Sequence, residues 1–209
     1  MTMTKGELDL LHKHLDLCVR YLEFGSGEST LYAADRPAII KIDSVESSQS
    51  FVDNHLKRQE IIIKALVQKK LVFHMIDIGE VNLWGGPMNS LKRHLWPNYS
   101  LSVFHQESKH DLALIDGRFR VSCTLNSILN TPDYCKIIIH DFWNRPQYHV
   151  LLRYLQVVER IDTLGVFAKK KGVNHAEIQK MIVEYQYLPG DELEAGLLDR
   201  LTKKILNWR

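Results

Sequence analysis

The chain has 209 residues, 45% of them apolar and 25% charged, with a formal net charge of +2 and three cysteines. That length and apolar share suit one compact domain with a small appendage, and the dispersed, nearly balanced charge argues against a nucleic-acid footprint. No run approaches the ~20 apolar residues of a membrane span, the start MTMTKGELDLLHKHL lacks a basic-then-apolar leader, and the odd cysteine count without metal spacing reads as buried thiols, so a cytoplasmic protein is expected.

Leu8, Leu11, Leu15 and Cys18 recur at helical spacing behind the capping-box pair Thr4 and Glu7, which predicts an amphipathic helix over 5–18. YLEF then reads as a strand stopping at Glu23. In the turn that follows, Gly25 and Gly27 let backbone N–H groups approach a ligand, and a helix begins near Ser29. Thr30 stands where a dinucleotide fingerprint wants glycine again, which fits NAD or FAD poorly, and no Gly-Lys-Ser or Gly-Lys-Thr follows, which excludes a P-loop.

AIIKIDSVE is a second strand ending in Glu46, Phe51 to Val67 carries a helical rhythm, and LVFHMIDIG is a third strand closed by Asp77 and Gly79. Residues 80–109, rich in turn formers and aromatics, predict a loop with a short helix over one sheet edge. DLALIDG is a buried fourth strand, CTLNSIL a helix, CKIIIHDF a fifth strand, Tyr148 to Ile161 a long helix, and TLGVFAKK a last strand. Parallel strands separated by helices imply a doubly wound sheet with its ligands at the carboxyl ends of the strands, where Glu23, Glu46, Asp77, Asp116 and Asp141 all fall. Beyond Gly172, Asn174 caps one helix. DELEAGLLDRLTKKIL, acids first and lysines last, predicts a second, and their apolar faces must pack on the main domain or on a second subunit.

Five blocks, YLEFGSGEST, SVESSQSF, HMIDIGEVNLWGGP, LALIDGRFRVSC and IIIHDFWNRPQYHVL, together resemble a family of small methyltransferase-like proteins over roughly residues 7–168. The resemblance implies an α/β fold: a doubly wound, Rossmann-like sheet of the class I methyltransferase type, with about seven strands and the last antiparallel. That domain would span 1–171, with a helical extension at 172–209 packed on it or across a homodimer. The cofactor implied is S-adenosyl-L-methionine, whose parts need close backbone, hydrogen-bond acceptors and a flat apolar slot. Glu23, Gly25, Ser26 and Gly27, with Ser29 and Thr30 completing the turn, suit its amino-acid head; Glu46 suits the ribose diol, and Asp77 with Ile78 the adenine region.

One departure is Glu28, where related sequences resemble glycine; its carboxylate is expected to point outward from the first helical turn, where the dipole favours it. For removing a proton from an acceptor hydroxyl the candidates are Asp116 and the pair His140-Asp141, with Arg145 and Tyr148 facing the cleft. Each also has a structural reading: Asp116 as a turn acid pairing with Arg118 or Arg120, His140 as a core histidine. The acids resemble the metal-holding positions of catechol-type O-methyltransferases, but Phe142 stands where that pattern has Asn, so one ligand is missing and the balance is against a divalent metal. Arg118 and Arg120, two apart in an extended stretch, would face the same way and brace the acids or clamp an anionic acceptor. Trp84, Trp96, Tyr99 and Trp143 line a pocket or pack a lid. The expected function is O-methyl transfer to a small or glycan-like acceptor, with no nucleic-acid or membrane partner; the alternative is an accessory binding protein that kept the fold and lost the reaction.

Overall fold

The computed structural model describes residues 2–104 and 108–190. Seven strands form one sheet in the order β3-β2-β1-β4-β5-β7-β6: β1 (Arg20–Phe24), β2 (Lys41–Glu46), β3 (Leu71–Met75), β4 (Leu112–Ile115), β5 (Lys136–Ile139), β6 (Leu155–Ile161) and β7 (Leu164–Lys169). The first five are parallel, and β7 runs antiparallel between β5 and β6. This is the class I methyltransferase-type sheet. Its central strands are nearly continuous apolar runs because both faces are covered, as parallel sheets require. Along β1, Tyr21 packs into one layer with Leu11, Leu15, Ala33 and Ile62, while Leu22 and Phe24 pack into the other with Ile115, Phe119 and Leu125.

The first layer is made by α1 (Lys5–Leu15), α2 (Glu28–Asp35) and α4 (Glu60–Val67), and the second by α5 (Pro97–Leu101), α6 (Arg120–Asn130) and α7 (His175–Tyr185). The capping box of α1 is present: Thr4 N–H donates to Glu7 Oε2 at 2.8 Å and Glu7 N–H to Thr4 Oγ1 at 3.3 Å. The helix stops at Leu15, three residues short of the sequence expectation, because Asp16 to Val19 turn the chain into β1. Asn174 caps α7 by accepting from Ala176 and Glu177 N–H, and Ile178 enters the core beside α6, so the main domain covers that helix. The second C-terminal helix expected from sequence lies outside the described residues. No helix among the described residues is long and apolar enough to cross a membrane.

Two sequence expectations are corrected. Residues 148–161 are not a helix: Pro146–Arg153 form 3-10 turns and Leu155–Ile161 form β6, which turns back into β7 through Asp162 and Thr163, with Asp162 at φ 44°. The β-branched pair Val157-Val158 and this two-residue turn make a hairpin, which outweighs an accidental helical rhythm. Residues 51–67 are not one helix either. A single turn α3 (Gln49–Phe51) passes into a π-helical turn, Val52–Leu56, and the chain breaks before α4.

The glycine turn after β1 is locked to the chain leaving β4. Gly25 has φ 94°, and a Cβ there would lie 2.6 Å from Gly117 N. A Cβ on Gly117 would in turn meet Tyr99 Oη at 2.3 Å and Gly25 N at 2.8 Å. Neither position tolerates a side chain. Gly25→Ala is therefore expected to lower the unfolding free energy by about 3 kcal/mol, through left-handed strain added to a backbone clash, as read by urea denaturation.

Candidate functional site

A groove of about 660 Å³ opens at the carboxyl ends of the strands, where a doubly wound sheet takes its ligands. Gly25, Ser26, Gly27 and Ser29 lie along it, with Glu46 beside them and Asp116, Gly117 and Arg118 at the β4 end. Glu28, the first residue of α2, is exposed on its rim, as expected for a carboxylate at a helix N-terminus.

The turn is held from beneath by Glu23, which is fully buried and takes no part in lining the groove. Its carboxylate accepts from four hydroxyls: Thr30 Oγ1 at 2.5 Å, Ser29 Oγ at 2.7 Å, Ser44 Oγ at 2.7 Å and Tyr21 Oη at 3.1 Å. Burial pushes the Glu23 pKa up, and the four hydroxyl bonds act against that shift. Glu23 and Thr30 thus tie the turn to β1 and β2 instead of facing a ligand. The turn's own amides are also engaged: Gly25 N–H donates to Val45 O at 2.9 Å, Ser26 N–H to Glu46 Oε2 at 3.1 Å and Gly27 N–H to Thr30 Oγ1 at 3.0 Å. The first-turn N–H groups of α2, at Glu28 and Ser29, have no partner within the helix. A Cβ on Gly27 would meet nothing within 4 Å, so the space over the turn is open.

Glu46 ends β2 with Oε1 accepting from Ser47 N–H at 2.7 Å and Ser48 N–H at 2.9 Å. Over it runs a strap, residues 81–87, closed by the bridge between Val81 and Pro87. Asn82 Oδ1 accepts from Trp84 and Gly86 N–H, and Gly85, at φ 74°, has its carbonyl held by Ser47 Oγ at 3.2 Å. Arg118 latches the strap from the β4 side, donating through Nε and a terminal nitrogen to Trp84 O at 2.8 and 2.5 Å. The sequence predicted this stretch only as part of the loop over residues 80–109; Ser47 and Arg118, which fasten it, come from remote parts of the chain.

Asp77 and Ile78 do not reach the groove. Asp77 is exposed, accepts from Gly79 N–H and pairs with Lys92, and that pairing holds its carboxyl below the usual range. Ile78 is fully buried, with its carbonyl taken by Trp96 Nε1 at 2.9 Å. Arg118 and Arg120 do not face the same way, because Phe119 adopts a left-handed conformation at φ 53° and Arg120 starts α6. One lines the groove; the other is buried. Trp96 and Trp143 pack internally, whereas Trp84 and the buried Tyr99 border the groove.

Beneath Asp116 lies a charged cluster. His140 Nδ1 is 2.8 Å from Asp116 Oδ1, and Arg120 bonds Asp116 at 3.1 Å and His140 O at 2.5 Å. Arg145 pairs with Asp141 at 2.9 Å, and His140 Nε2 lies 3.5 Å from Glu7 Oε2, a residue that sequence reasoning used only as a helix cap. Glu7 also accepts from Thr163 N–H and Oγ1, fastening α1 to the β6–β7 turn. Only Asp116 of the four catalytic candidates lines the groove. His140 and Asp141 are buried, Arg145 serves Asp141, and the Tyr148 hydroxyl donates to Gly190 O. Burial disfavours a charged His140, but its bond to Asp116 and the charges of Asp116 and Asp141 outweigh this and raise its pKa. For Asp141, burial is outweighed by His140, Arg120 and Arg145, and the pKa falls. With cations already seated on Asp116 and Asp141, these residues do not fit a divalent metal.

No protein-family model and no curated protein matches the chain. Solved structures do. A methyltransferase-like protein from Silicibacter pomeroyi is 25% identical with TM-score 0.76, over 90% of this chain and 97% of that one. A candidate caffeoyl-CoA O-methyltransferase from Staphylococcus aureus is 12% identical with TM-score 0.56, over 81% and 86%. A candidate methyltransferase from Streptococcus mutans, in complex with S-adenosylhomocysteine, is 8% identical with TM-score 0.52, over 80% and 100%. The last two share the fold.

A His whose folded pKa is raised stabilises the protein below its unfolded value, about 6.5, and that contribution is lost as pH rises through the folded pKa. His140→Gln is therefore expected to cost more unfolding free energy at pH 6 than at pH 9 in urea titrations. Arg118→Ala removes two charge-assisted bonds from Trp84 O, and amide exchange across residues 82–86 should speed up roughly tenfold.

Proposed function

We propose that this protein is an S-adenosylmethionine-dependent methyltransferase acting at oxygen on a small or glycan-like acceptor. The observation that carries the reading is the open glycine turn whose Ser26 N–H donates to the Glu46 carboxylate at the edge of the groove. Support comes from the sheet order and from the Silicibacter pomeroyi protein, similar along nearly its whole length.

The residues present fit the cofactor. Space is open above Gly27, the N–H groups of Glu28 and Ser29 at the start of α2 suit the carboxylate of the amino-acid head, and Glu46 Oε2 has lone-pair capacity left for a ribose hydroxyl. When bound, the cofactor supplies an electrophilic methyl group on a sulfonium. Methyl transfer asks the protein for alignment and, at a hydroxyl, for a place to put the proton. Asp116 is the groove-lining carboxylate at the β4 end; it takes the acceptor proton while Arg120 and His140 hold its orientation.

A second reading, an accessory binding protein on the same fold, is favoured by one observation: the amides of Gly25, Ser26 and Gly27 and the carboxylate of Glu23 are all engaged within the protein. Under that reading a ligand binds without turnover in any extract.

Titration calorimetry decides first between binding and none. S-adenosylmethionine and S-adenosylhomocysteine are expected to bind at micromolar strength or tighter, and Glu46→Gln to weaken both by about tenfold to a hundredfold through loss of a charged acceptor. No heat with either ligand overturns the proposal.

A further inference from the structure

We infer that residues 191–209 are a lid for the β4 end of the groove: Asp191, Glu192 and Glu194 meet the arginines where the chain leaves Gly190, and the leucines that follow cover the strap. The inference does not depend on which ligand the groove takes.

The course of the chain after α7 points there. Arg93 sits over Tyr187 with its guanidinium carbon 4.1 Å from the ring centroid, Pro189 O accepts from Phe119 N–H at 3.2 Å, and Gly190 O accepts from Tyr148 Oη at 3.1 Å and Gln147 Nε2 at 3.5 Å. The chain is therefore pinned at Pro189 and Gly190 beside Phe119, the neighbour in sequence of the groove-lining Arg118. Residues 191–209 continue from this point.

Charge favours a turn toward the groove. Burial, Arg120 and Arg145 all disfavour the charged form of Arg118 and lower its pKa, so three guanidinium groups crowd one another at the place where the chain leaves. Asp116 and Asp141 are engaged with Arg120 and Arg145. The sequence after Gly190 opens Asp-Glu-Leu-Glu, which brings acids to crowded cations and also suits the first turn of a helix.

Apolar surface supplies the other half of the argument. Leu83 is wholly exposed, Trp84 is 70% exposed and Leu91 83%. Their setting is not loose, because the Val81–Pro87 bridge, the Asn82 turn, Ser47 and Arg118 fix the backbone of the strap. Large apolar side chains held in water on a fixed backbone mark a surface with a partner. In DELEAGLLDRLTKKIL, Leu193, Leu197, Leu201 and Ile205 recur every four residues with Leu198 beside them, one apolar stripe of a helix. Such a helix over 191–205 is about 22 Å long at ~1.5 Å per residue. The path it has to follow is a series of direct contacts, from Pro189 to Phe119, along the backbone to Arg118, and across the Arg118 bond to Trp84 O. Leu83 and Trp84 both line the groove, so covering them closes its opening on that side.

The test is cross-linking in the full chain, whose cysteines Cys18, Cys123 and Cys135 are buried. Leu83→Cys is combined in turn with Leu197→Cys and with Leu201→Cys. The control combines Leu197→Cys with Leu17→Cys, an exposed position ahead of β1 and so at the far ends of the strands. A short bis-maleimide is expected to join residue 83 to at least one of the two tail positions within a single chain, at several times the yield of the control. Glu192→Lys together with Glu194→Lys should lower that yield several-fold. Links found only between chains, which place the stripe on a second subunit, a yield no higher than the control, or a yield that the lysine substitutions leave unchanged each overturn the inference.

Discussion

Gly25 and Gly117 meet so closely that neither has room for a side chain. One follows β1 and the other follows β4, and their backbones touch because neither residue carries a Cβ. That contact sets the ends of two neighbouring strands at the same level, with Tyr99 Oη packed against the junction from the second layer. The Ser26–Glu46 bond on one side and Asp116 on the other are positioned from this point. A groove at the strand ends of a doubly wound sheet is general; that this one has a glycine turn and a strand-ending acid within a single opening follows from the two glycines.

Two polar networks hold the junction, and they work by different chemistry. Around Glu23 one buried carboxylate is surrounded by neutral hydroxyl donors from Tyr21, Ser29, Thr30 and Ser44, so the network is local, short-bonded and tuned by desolvation. Around His140 the members carry full charges of both signs, Glu7, Asp116 and Asp141 against Arg120 and Arg145. Such a cluster is costly to leave half-assembled, because each unpaired buried charge carries its whole desolvation penalty. It draws α1, the β4 end, α6 and the β5 end into one unit. Thr2, Met3 and Leu8, from and just ahead of α1, line the groove because Glu7 is anchored there.

Methyltransferase-type sheets carry many acceptors, so the fold leaves the choice of acceptor to the groove. The acid that lines this groove at the β4 end, Asp116, is already paired with Arg120, and the acid after β5, Asp141, is buried against Arg145. The third strand ends in a buried isoleucine and an exposed aspartate, while the segment after β2 is rebuilt as a π turn with its aromatics toward the opening.

Periodicity, caps and strand-ending acids are properties of short stretches, and these the amino-acid sequence determined by itself. The α1 capping box, the glycine turn, Glu46 at the end of β2, Asp116 after β4 and the doubly wound order all stand where residue pattern placed them. The failures of the sequence reading have physical causes that no residue pattern shows. A helical rhythm over 148–161 and a hairpin there differ only in what the strand can pair with, and β7 was needed to choose. Whether an acid faces a ligand or the interior depends on donors that no local pattern shows: Glu23 is held by Ser44 as well as by its neighbours, and Glu7 by Thr163, 156 residues away. A left-handed residue at Phe119 sent Arg118 and Arg120 in different directions. Only the tertiary structure decides such matters, because neither a hydrogen bond between remote residues nor a single left-handed residue leaves a period behind it in the chain.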